Sequence, residues 1–351
     1  MKEFLLQVLD GEPLTAAQAT EAFELIMTGQ VTPVQTGALL ALIQARGATV
    51  DELVGAATVM RQKVARVQPP PGVTVVDTCG TGGDGAGTFN VSTAAAIVTA
   101  AAGRPHGVVV AKHGNRSVTS RSGSSQVLET LGVALAVPPE TITRCLDEAG
   151  IGFCFAPAHH PAMKHAAPVR AELGFRTLFN LVGPLTNPAG ATRQVIGVFH
   201  PRLTQTLAEV LQRLGSDRAM VVCGEMPRDT PGVLAVIDEL STAGQSTITE
   251  LRGGRVLDRK LDPTSLELPI SHPSSLRVDG PDASAAMIRG VLNGEHGPAR
   301  DIVVLNAAAA LVVADLAADL REGLDLAIAA IDDGNARAAL DTLVRMTAEA
   351  A

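Results

Sequence analysis

Residues 73–93 read VTVVDTCGTGGDGAGTFNVST, and the prediction of the fold starts from this stretch. The β-branched run at 73–76 predicts a buried strand, and the alanine-rich run that ends at Ala102 predicts a helix. Between them lie five glycines, Gly80, Gly82, Gly83, Gly85 and Gly87. Glycine lets a backbone approach an anion closely, and the free N–H groups of a first helical turn attract negative charge. The stretch therefore predicts a phosphate-binding loop.

A plain strand-to-helix connection is the alternative interpretation of this loop, and it accounts for two or three glycines. It does not account for five glycines together with the polar residues between Asp84 and Thr93. No Gly-Lys-Ser/Thr sequence follows, so the loop is not a Walker A loop, and the glycine spacing differs from a dinucleotide-binding fingerprint. Ser92 and Thr93 are candidate helix caps that also suit contact with a phosphate or a metal-bound water.

The composition limits the class of protein. A chain of 351 residues predicts about two domains. The net formal charge of −8 argues against a nucleic-acid partner, because no surplus of basic residues is available to displace counterions. The four cysteines have no metal-ligand spacing and are expected to be small buried side chains. We find no targeting signal and no apolar run of membrane-spanning length, so we expect a cytoplasmic protein without a membrane partner.

The order of patterns along the chain predicts an α/β fold with an added helical domain. Residues 1–66 show only helical patterns, with capping boxes that begin at Thr15, Thr32 and Thr49. The stiff sequence at 69–72, Pro-Pro-Pro-Gly, ends this region. Strand-like runs at 73–76, 108–111, 151–155, 194–199 and 218–223 then alternate with helical stretches such as 139–149 and 203–214. A hairpin is predicted at 246–257, and a helical tail from about residue 283.

A second polar loop follows the strand at 108–111. It runs from Lys112 to Ser124 and contains three cations and five hydroxyl side chains within thirteen positions. A solvated surface loop is the alternative, but it explains only one or two such residues. Loops at strand ends are the usual ligand site in α/β folds, so phosphate contact is the better interpretation. Two such loops predict a ligand that carries two separate phosphate groups.

Two further groups are candidates for the same site. The adjacent carboxylates Asp238 and Glu239 follow the apolar run at 233–237, a position that suits Mg²⁺ bridged to substrate phosphates. Solvated surface acids are the alternative for this pair. In the polar region 156–193, Arg170 suits a forked contact to a ligand carboxylate, and His160 suits stacking or hydrogen bonding. Surface positions without a function are the alternative for both.

These segments together resemble the anthranilate phosphoribosyltransferases. The matching segments are DTCGTGGDGAGTFNVST, AKHGNRSVTSRSGSSQVLETLGV, FAPAHHPAMKHAAPVRAELGFRTLFNLVGPLTNPA and the pair Asp238-Glu239. The resemblance implies transfer of the 5-phosphoribosyl group from phosphoribosyl diphosphate to the amine of anthranilate, with release of pyrophosphate, as a step of tryptophan biosynthesis. It also implies Mg²⁺ as cofactor, with two ions, and no discrete acid or base.

The resemblance assigns roles to individual residues. Phosphoribosyl diphosphate would contact the first loop and helix start at Gly80, Gly83, Asp84, Thr88, Asn90, Val91, Ser92 and Thr93. It would contact the second loop at Lys112, His113, Gly114, Asn115, Arg116, Ser117, Val118, Thr119, Ser120 and Ser124. Anthranilate would contact Gly80, Asn115, His160 and Arg170, and the metal would be bound by Ser92, Asp238 and Glu239. Support for the transition state would come from Lys112, Asn115 and Arg170.

The resemblance also implies an architecture. A small helical domain at 1–68, joined by helices near 167–190, would be hinged at 66–72 to an α/β domain at 73–351. The α/β domain would have a central mixed, largely parallel sheet flanked by helices, as in the nucleoside phosphorylase-like phosphoribosyltransferases. A homodimer through the helical domain is expected. The chain departs from the family pattern in an apparent insertion at 104–107, a longer segment at 224–237, and Cys223 in place of a histidine.

Two other functions remain as alternatives. A pyrimidine-nucleoside phosphorylase would share the fold and use phosphate as nucleophile, but the Gly-Thr-Gly-Gly-Asp and Lys-His-Gly-Asn-Arg sequences favour the transferase. A catalytically silent relative that binds nucleic acid is the other alternative. The acidic charge and the intact Asp238-Glu239 pair argue against it.

Overall fold

The computed structural model of the chain describes residues 1–116, 123–227 and 235–350. Four helices form the N-terminal part: α1 (Lys2–Leu9), α2 (Ala16–Met27), α3 (Pro33–Arg46) and α4 (Val50–Gln62). All three predicted capping boxes are present, at the starts of α2, α3 and α4. In each box the threonine hydroxyl accepts from a backbone N–H and the residue three positions on binds back, which fixes where the helix begins.

A mixed sheet forms the centre of the remaining chain. Its strands are β1 (Thr74–Gly80), β2 (Val108–Gly114), β3 (Ile151–Phe155), β4 (Arg193–Gly197), β5 (Arg218–Glu225), β6 (Val236–Ile237), β7 (Ser246–Arg252) and β8 (Arg255–Leu261). The strand order is β3-β2-β1-β4-β5-β7-β8, and β6 pairs with the end of β5. Strands β1 to β5 are parallel, whereas β6, β7 and β8 pair antiparallel. The predicted fold class, a helical domain plus a largely parallel α/β sheet, is confirmed.

Helices flank both faces of this sheet. They are α5 (Val91–Gly103), α6 (Ser124–Leu131), α7 (Pro139–Glu148), α8 (Ala156–His159), α9 (Ala167–Leu173), α10 (Phe179–Val182), α11 (Leu203–Arg213), α12 (Pro281–Leu292), α13 (Pro298–Val313), α14 (Leu320–Asp332) and α15 (Asn335–Ala348). Short 3₁₀ turns occupy Arg104–His106, Pro161–His165, Gly183–Leu185, Pro263–Leu266 and Pro273–Ser275. The apparent insertion at 104–107 is thus one 3₁₀ turn that leads from α5 into β2.

The core is aliphatic, as the composition predicts, and lies on both faces of the sheet. On one face α5 and the tail helices α12 to α15 pack together, and every residue of α13 from Ile302 to Val313 is buried. On the other face α10 and α11 pack with the N-terminal helices in a second apolar cluster. All four cysteines are buried free thiols, which confirms their predicted packing role. Among the described helices, none is long and apolar enough to cross a membrane.

The segment that follows α4 is tied to the α/β part by backbone contacts. The Ala65 N–H donates to the carbonyl of His159 over 2.8 Å, and the Val67 N–H donates to Pro188 over 3.1 Å. The ring Nδ1 of His159 lies 2.8 Å from the carbonyl oxygen of Ala65. Helix α9 packs against α3, so the chain near 167–173 contacts the helical part. The domain bounds and the hinge at 66–72 stay predictions.

Candidate active site

Five parallel strands place their carboxyl ends along one edge of the sheet, and the candidate residues gather there. The glycine loop leaves β1 at Gly80, the second polar loop leaves β2 at Gly114, and the carboxylate pair follows β6. Crevices at the carboxyl ends of parallel strands are the usual ligand sites of open α/β sheets. The topology therefore brings together three segments that are far apart in the sequence.

The glycine loop leads into α5 as predicted. Four of its glycines, Gly82, Gly83, Gly85 and Gly87, have φ between 67° and 81°, a region that favours glycine. The side chain of Asn90, rather than Ser92 or Thr93, caps α5 by accepting from the Thr93 N–H over 3.1 Å. The Ser92 N–H donates over 3.1 Å to a carboxylate oxygen of Glu239. The helix start thus already binds an acidic side chain of the protein.

Asp238 and Glu239 lie close to the glycine loop and carry unfavourable charge. A carboxylate oxygen of Asp238 accepts from the Gly82 N–H over 2.8 Å, and the Asp238 N–H donates to Asp84 over 3.3 Å. Burial, followed by the charge of Asp84, raises the pKa of Asp238 to about 7. Burial and the charge of Asp238 also raise the pKa of Glu239 well above its ordinary value. Without a cation, these carboxylates repel one another.

Lys112 supplies positive charge beside this cluster. Its side chain is almost completely buried, with 2% of the residue exposed. The ammonium group donates to the carbonyl of Thr78 over 2.6 Å and to the hydroxyl of Ser92 over 3.2 Å. Burial lowers the pKa of Lys112, and the charges of Asp77 and Glu239 act in the opposite direction. Lys112, Ser92 and Glu239 therefore meet at the first turn of α5.

The donor set suits a magnesium ion that also binds substrate. In the described part of the chain, no three His, Cys, Asp or Glu side chains converge closely enough to hold a metal by themselves. Mg²⁺ commonly takes only one or two carboxylates from the protein and completes its shell with water and phosphate oxygens. A divalent cation would also offset the burial and the like charges that raise the pKa values of Asp238 and Glu239. The pair is therefore compatible with Mg²⁺.

His160 contacts a second histidine of the site. Its Nε2 lies 3.1 Å from Nε2 of His113, at the end of β2. Burial lowers the pKa of His160 to about 4 and holds the pKa of His113 well below its ordinary value. Both rings are therefore neutral at pH 7, and one Nε2–H donates to the other ring. This pair fixes the segment after β3 against the loop that carries Asn115.

Arg170 presents a guanidinium group that the protein leaves available. It lies in α9, with the guanidinium carbon 5.3 Å from the centre of the Phe179 ring. The residue is half-buried, and burial lowers the pKa of its guanidinium group. Among the residues that the structure describes, none forms a hydrogen bond or ion pair with this guanidinium. Such a group is suited to a carboxylate of a ligand.

The remaining predicted residues differ in how they are exposed. Asn115 and Arg116 are exposed, and the Ser124 hydroxyl donates to the Asn115 carbonyl over 3.3 Å. Val91 and Thr93 are buried, so their backbone rather than their side chains faces the loop. Thr88 is half-buried, and its backbone forms an isolated antiparallel β-bridge with Arg277. The predicted contacts at Ser117, Val118, Thr119 and Ser120 lie outside the described residues.

Three polar side chains support the site without having been assigned to it from the sequence. Arg176 stacks on Phe199, at 4.3 Å from the ring centre, and donates to the carbonyl of Gly83 in the glycine loop. Asp77 is fully buried and accepts from the His113 N–H over 3.0 Å. Its other oxygen accepts from Asn187 over 2.8 Å. Asn187 belongs to the polar region 156–193, and no local pattern in the sequence indicates that Asp77 is its partner.

The glycine loop, the buried lysine and the half-buried carboxylate pair define a class of α/β enzyme that acts on phosphorylated substrates. Two family models match the chain: the glycosyl transferase family a/b domain over residues 72–337, and the helical bundle domain of the same family over residues 2–64. The chain belongs to this glycosyl transferase family.

The similar proteins specify the function further. An anthranilate phosphoribosyltransferase of Rubrobacter xylanophilus is 49% identical over 99% of this chain and 97% of its own length. The crystal structure of the anthranilate phosphoribosyltransferase from Thermus thermophilus has a TM-score of 0.86 at 39% identity, with 98% and 99% of the two chains covered. The anthranilate phosphoribosyltransferase from Saccharomyces cerevisiae, in complex with PRPP (phosphoribosyl diphosphate) and Mg, has a TM-score of 0.85 at 25% identity. The match covers 99% of this chain and 97% of the yeast chain. These findings confirm the predicted function and enzyme class, anthranilate phosphoribosyltransferase.

Proposed function

We propose that this site transfers the 5-phosphoribosyl group of phosphoribosyl diphosphate to the amine of anthranilate through the residues described above. The meeting of Lys112, Glu239 and Ser92 at the start of α5 is the observation that carries the proposal. In the reaction, the bond between C1 of the ribose and the pyrophosphate oxygen breaks, and the amine nitrogen bonds to C1. The amine then loses one proton to solvent. Negative charge grows on pyrophosphate, so the site must stabilise a leaving group.

The donor would lie over the glycine loop. The positive-φ glycines have no side chains that would keep a phosphate from the backbone, and the exposed second loop adds Asn115 and Arg116. Lys112 donates a hydrogen bond to the Ser92 hydroxyl and so fixes the position of that oxygen. Ser92, Asp238 and Glu239 would hold Mg²⁺, two ions in number, which would supply positive charge to the leaving pyrophosphate. Arg176 positions the loop through its bond to Gly83.

The acceptor would be held by the guanidinium of Arg170, which forms no hydrogen bond or ion pair with the described residues. Anthranilate carries a carboxylate, and a guanidinium fork binds a carboxylate through two parallel hydrogen bonds. Asn115 would orient the amine, and His160, neutral and paired with His113, would line the path of entry. The amine of anthranilate is uncharged at pH 7 and needs no strong base, so orientation is the main contribution of these residues.

A homodimer through the helical domain is part of the proposal. Its support is the exposure of three large apolar side chains in α1 and α3: Leu6 at 51%, Leu9 at 64% and Val34 at 81%. Exposed apolar clusters on a helical surface are typical of protein contacts. Closure about the segment 66–72 would exclude water and protect the donor from hydrolysis. A cytoplasmic location stays a prediction.

The first experiment is a fluorescence assay. Purified protein is mixed with Mg²⁺, phosphoribosyl diphosphate and anthranilate, and the loss of anthranilate fluorescence is followed. We expect loss only when all three are present. A folded protein that binds the donor but consumes no anthranilate would contradict the proposed acceptor. Phosphate-dependent cleavage of thymidine would instead support a nucleoside phosphorylase.

Arg170→Ala is expected to raise the KM for anthranilate by roughly 10- to 100-fold and to leave the KM for the donor nearly unchanged. A charge-assisted bond to a carboxylate contributes about 1.5–3 kcal/mol, which corresponds to this range. Steady-state kinetics with each substrate varied in turn measures both constants. Arg144→Ala serves as the control, because Arg144 is an exposed arginine paired with Glu148 on α7. An equal rise in both KM values would show that Arg170 does not recognise anthranilate.

A further inference from the structure

One polar side chain stands out in the apolar interior of the tail. Between Ile302 and Val313, every residue of α13 is buried, and Asn306 is the only polar one. Both polar atoms of its carboxamide are hydrogen-bonded. The Leu240 N–H donates to its oxygen over 2.9 Å, and its nitrogen donates to the carbonyls of Leu240 and Ile302, both over 2.9 Å. Burying an amide costs free energy unless the amide is hydrogen-bonded. Asn306 meets this requirement mainly by binding both backbone groups of Leu240.

Leu240 directly follows the carboxylate pair, and three glycines pack against the same turn. A Cβ at Gly80 would lie 2.2 Å from a carboxylate oxygen of Asp238. A Cβ at Gly197 would lie 1.5 Å from the Asp238 carbonyl oxygen, and one at Gly224 would lie 2.6 Å from that of Glu239. Gly80 and Gly197 are paired neighbours on β1 and β4, and Gly224 lies on β5. Any side chain at these positions would displace the turn.

We propose that Asn306 is a positioning residue for the metal-binding carboxylates. Its two bonds to Leu240 fix the backbone on one side of the Asp238-Glu239 pair, while the strand-end glycines allow that backbone to lie directly on the sheet. The inference rests on the proposed metal role of the pair. Groups that orient metal ligands from outside the ligand set typically change metal affinity by about 10- to 100-fold when removed.

The test compares Asn306→Leu with Thr347→Val. Leucine matches asparagine in size but leaves both backbone groups of Leu240 unpaired. Thr347 is a matched control, because it is another buried polar side chain of the helical tail that binds the backbone of a distant segment. Its hydroxyl accepts from the Ala134 N–H over 3.2 Å, and Ala134 is not part of the carboxylate turn. Each variant is titrated with Mg²⁺, and two midpoints are measured. The first is the Mg²⁺ concentration that gives half of the maximal rise in unfolding temperature. The second is the Mg²⁺ concentration that gives half of the maximal turnover rate.

Asn306→Leu is expected to raise both Mg²⁺ midpoints by about 10-fold, with the KM for anthranilate changed less than about twofold. Thr347→Val is expected to lower the unfolding temperature without moving either midpoint. If Asn306→Leu folds and both of its Mg²⁺ midpoints are unchanged, the inference is wrong. If the leucine variant does not fold, Asn306→Ser is measured in its place. If Asp238→Asn with Glu239→Gln also leaves the thermal midpoint unchanged, the proposed metal site itself is wrong.

Discussion

Replacing both carboxylates, Asp238→Asn together with Glu239→Gln, is expected to lower kcat by roughly 10³-fold or more and to remove its dependence on Mg²⁺. The amides keep the size of the side chains and their capacity to accept from Gly82 and Ser92. They lose the negative charge that would hold the metal at the leaving pyrophosphate. Steady-state rates across a Mg²⁺ titration measure the effect.

The chain contains a matched control for this double substitution. Asp147 and Glu148 form a second Asp-Glu pair, exposed at the end of α7, which precedes β3 and so lies at the opposite edge of the sheet. Asp147→Asn with Glu148→Gln is expected to leave kcat within about twofold, since exposed charges contribute little. If turnover of the Asp238→Asn, Glu239→Gln variant still depends on Mg²⁺, the metal is bound by other residues.

Metal-free stability provides an independent check that the inactive variant is folded. The raised pKa values of Asp238 and Glu239 show that their ionised forms are disfavoured in the folded state. For such groups, the stability that the protonated form contributes is lost as the pH rises through the folded pKa, near 7 for Asp238. Removing both charges is therefore expected to leave the unfolding temperature at about pH 8 unchanged or higher.

Local sequence signals predicted the elements of the fold. Each capping threonine binds residues within three positions, and each of the strands β1 to β5 contains its own apolar run, so neither signal depends on distant contacts. The loops at the ends of β1 and β2 were predicted for the same reason. Their composition is unusual in itself, and the strand before each one places it at the ligand edge of the sheet.

The partners within the site could not be predicted in this way. Asp238 and Gly82 are 156 positions apart, and Asn306 and Leu240 are 66 apart. Which distant groups meet is decided by the packing of α13 on the sheet and by the strand order, and neither leaves a local pattern. In the sequence, Asn306 is a polar residue within an apolar run, and its role follows only from the buried surroundings that the structure shows.

Lys112→Met is expected to destabilise the protein by roughly 1.5–3 kcal/mol, because it removes the hydrogen bonds of a buried ammonium group and the positive charge beside Asp77 and Glu239. The methionine preserves most of the apolar stem and removes the ammonium group that binds Thr78 and Ser92. Urea unfolding near neutral pH measures the change in the free energy of unfolding. Lys63→Met is the control, since Lys63 pairs with Glu24 at the surface over 2.6 Å and should contribute no more than about 1 kcal/mol.

A double-mutant cycle separates the loss of charge pairing from a loss of packing. If Lys112 compensates Glu239, then Glu239→Gln in the Lys112→Met background should recover part of the lost stability, because the unpaired carboxylate is removed. If the loss comes from packing alone, the two substitutions should be additive. Additive effects would show that the cation at the start of α5 serves the substrate rather than the carboxylate. The recovery that we expect would mean that Lys112 offsets part of the free-energy cost of ionising Glu239, whose pKa burial raises.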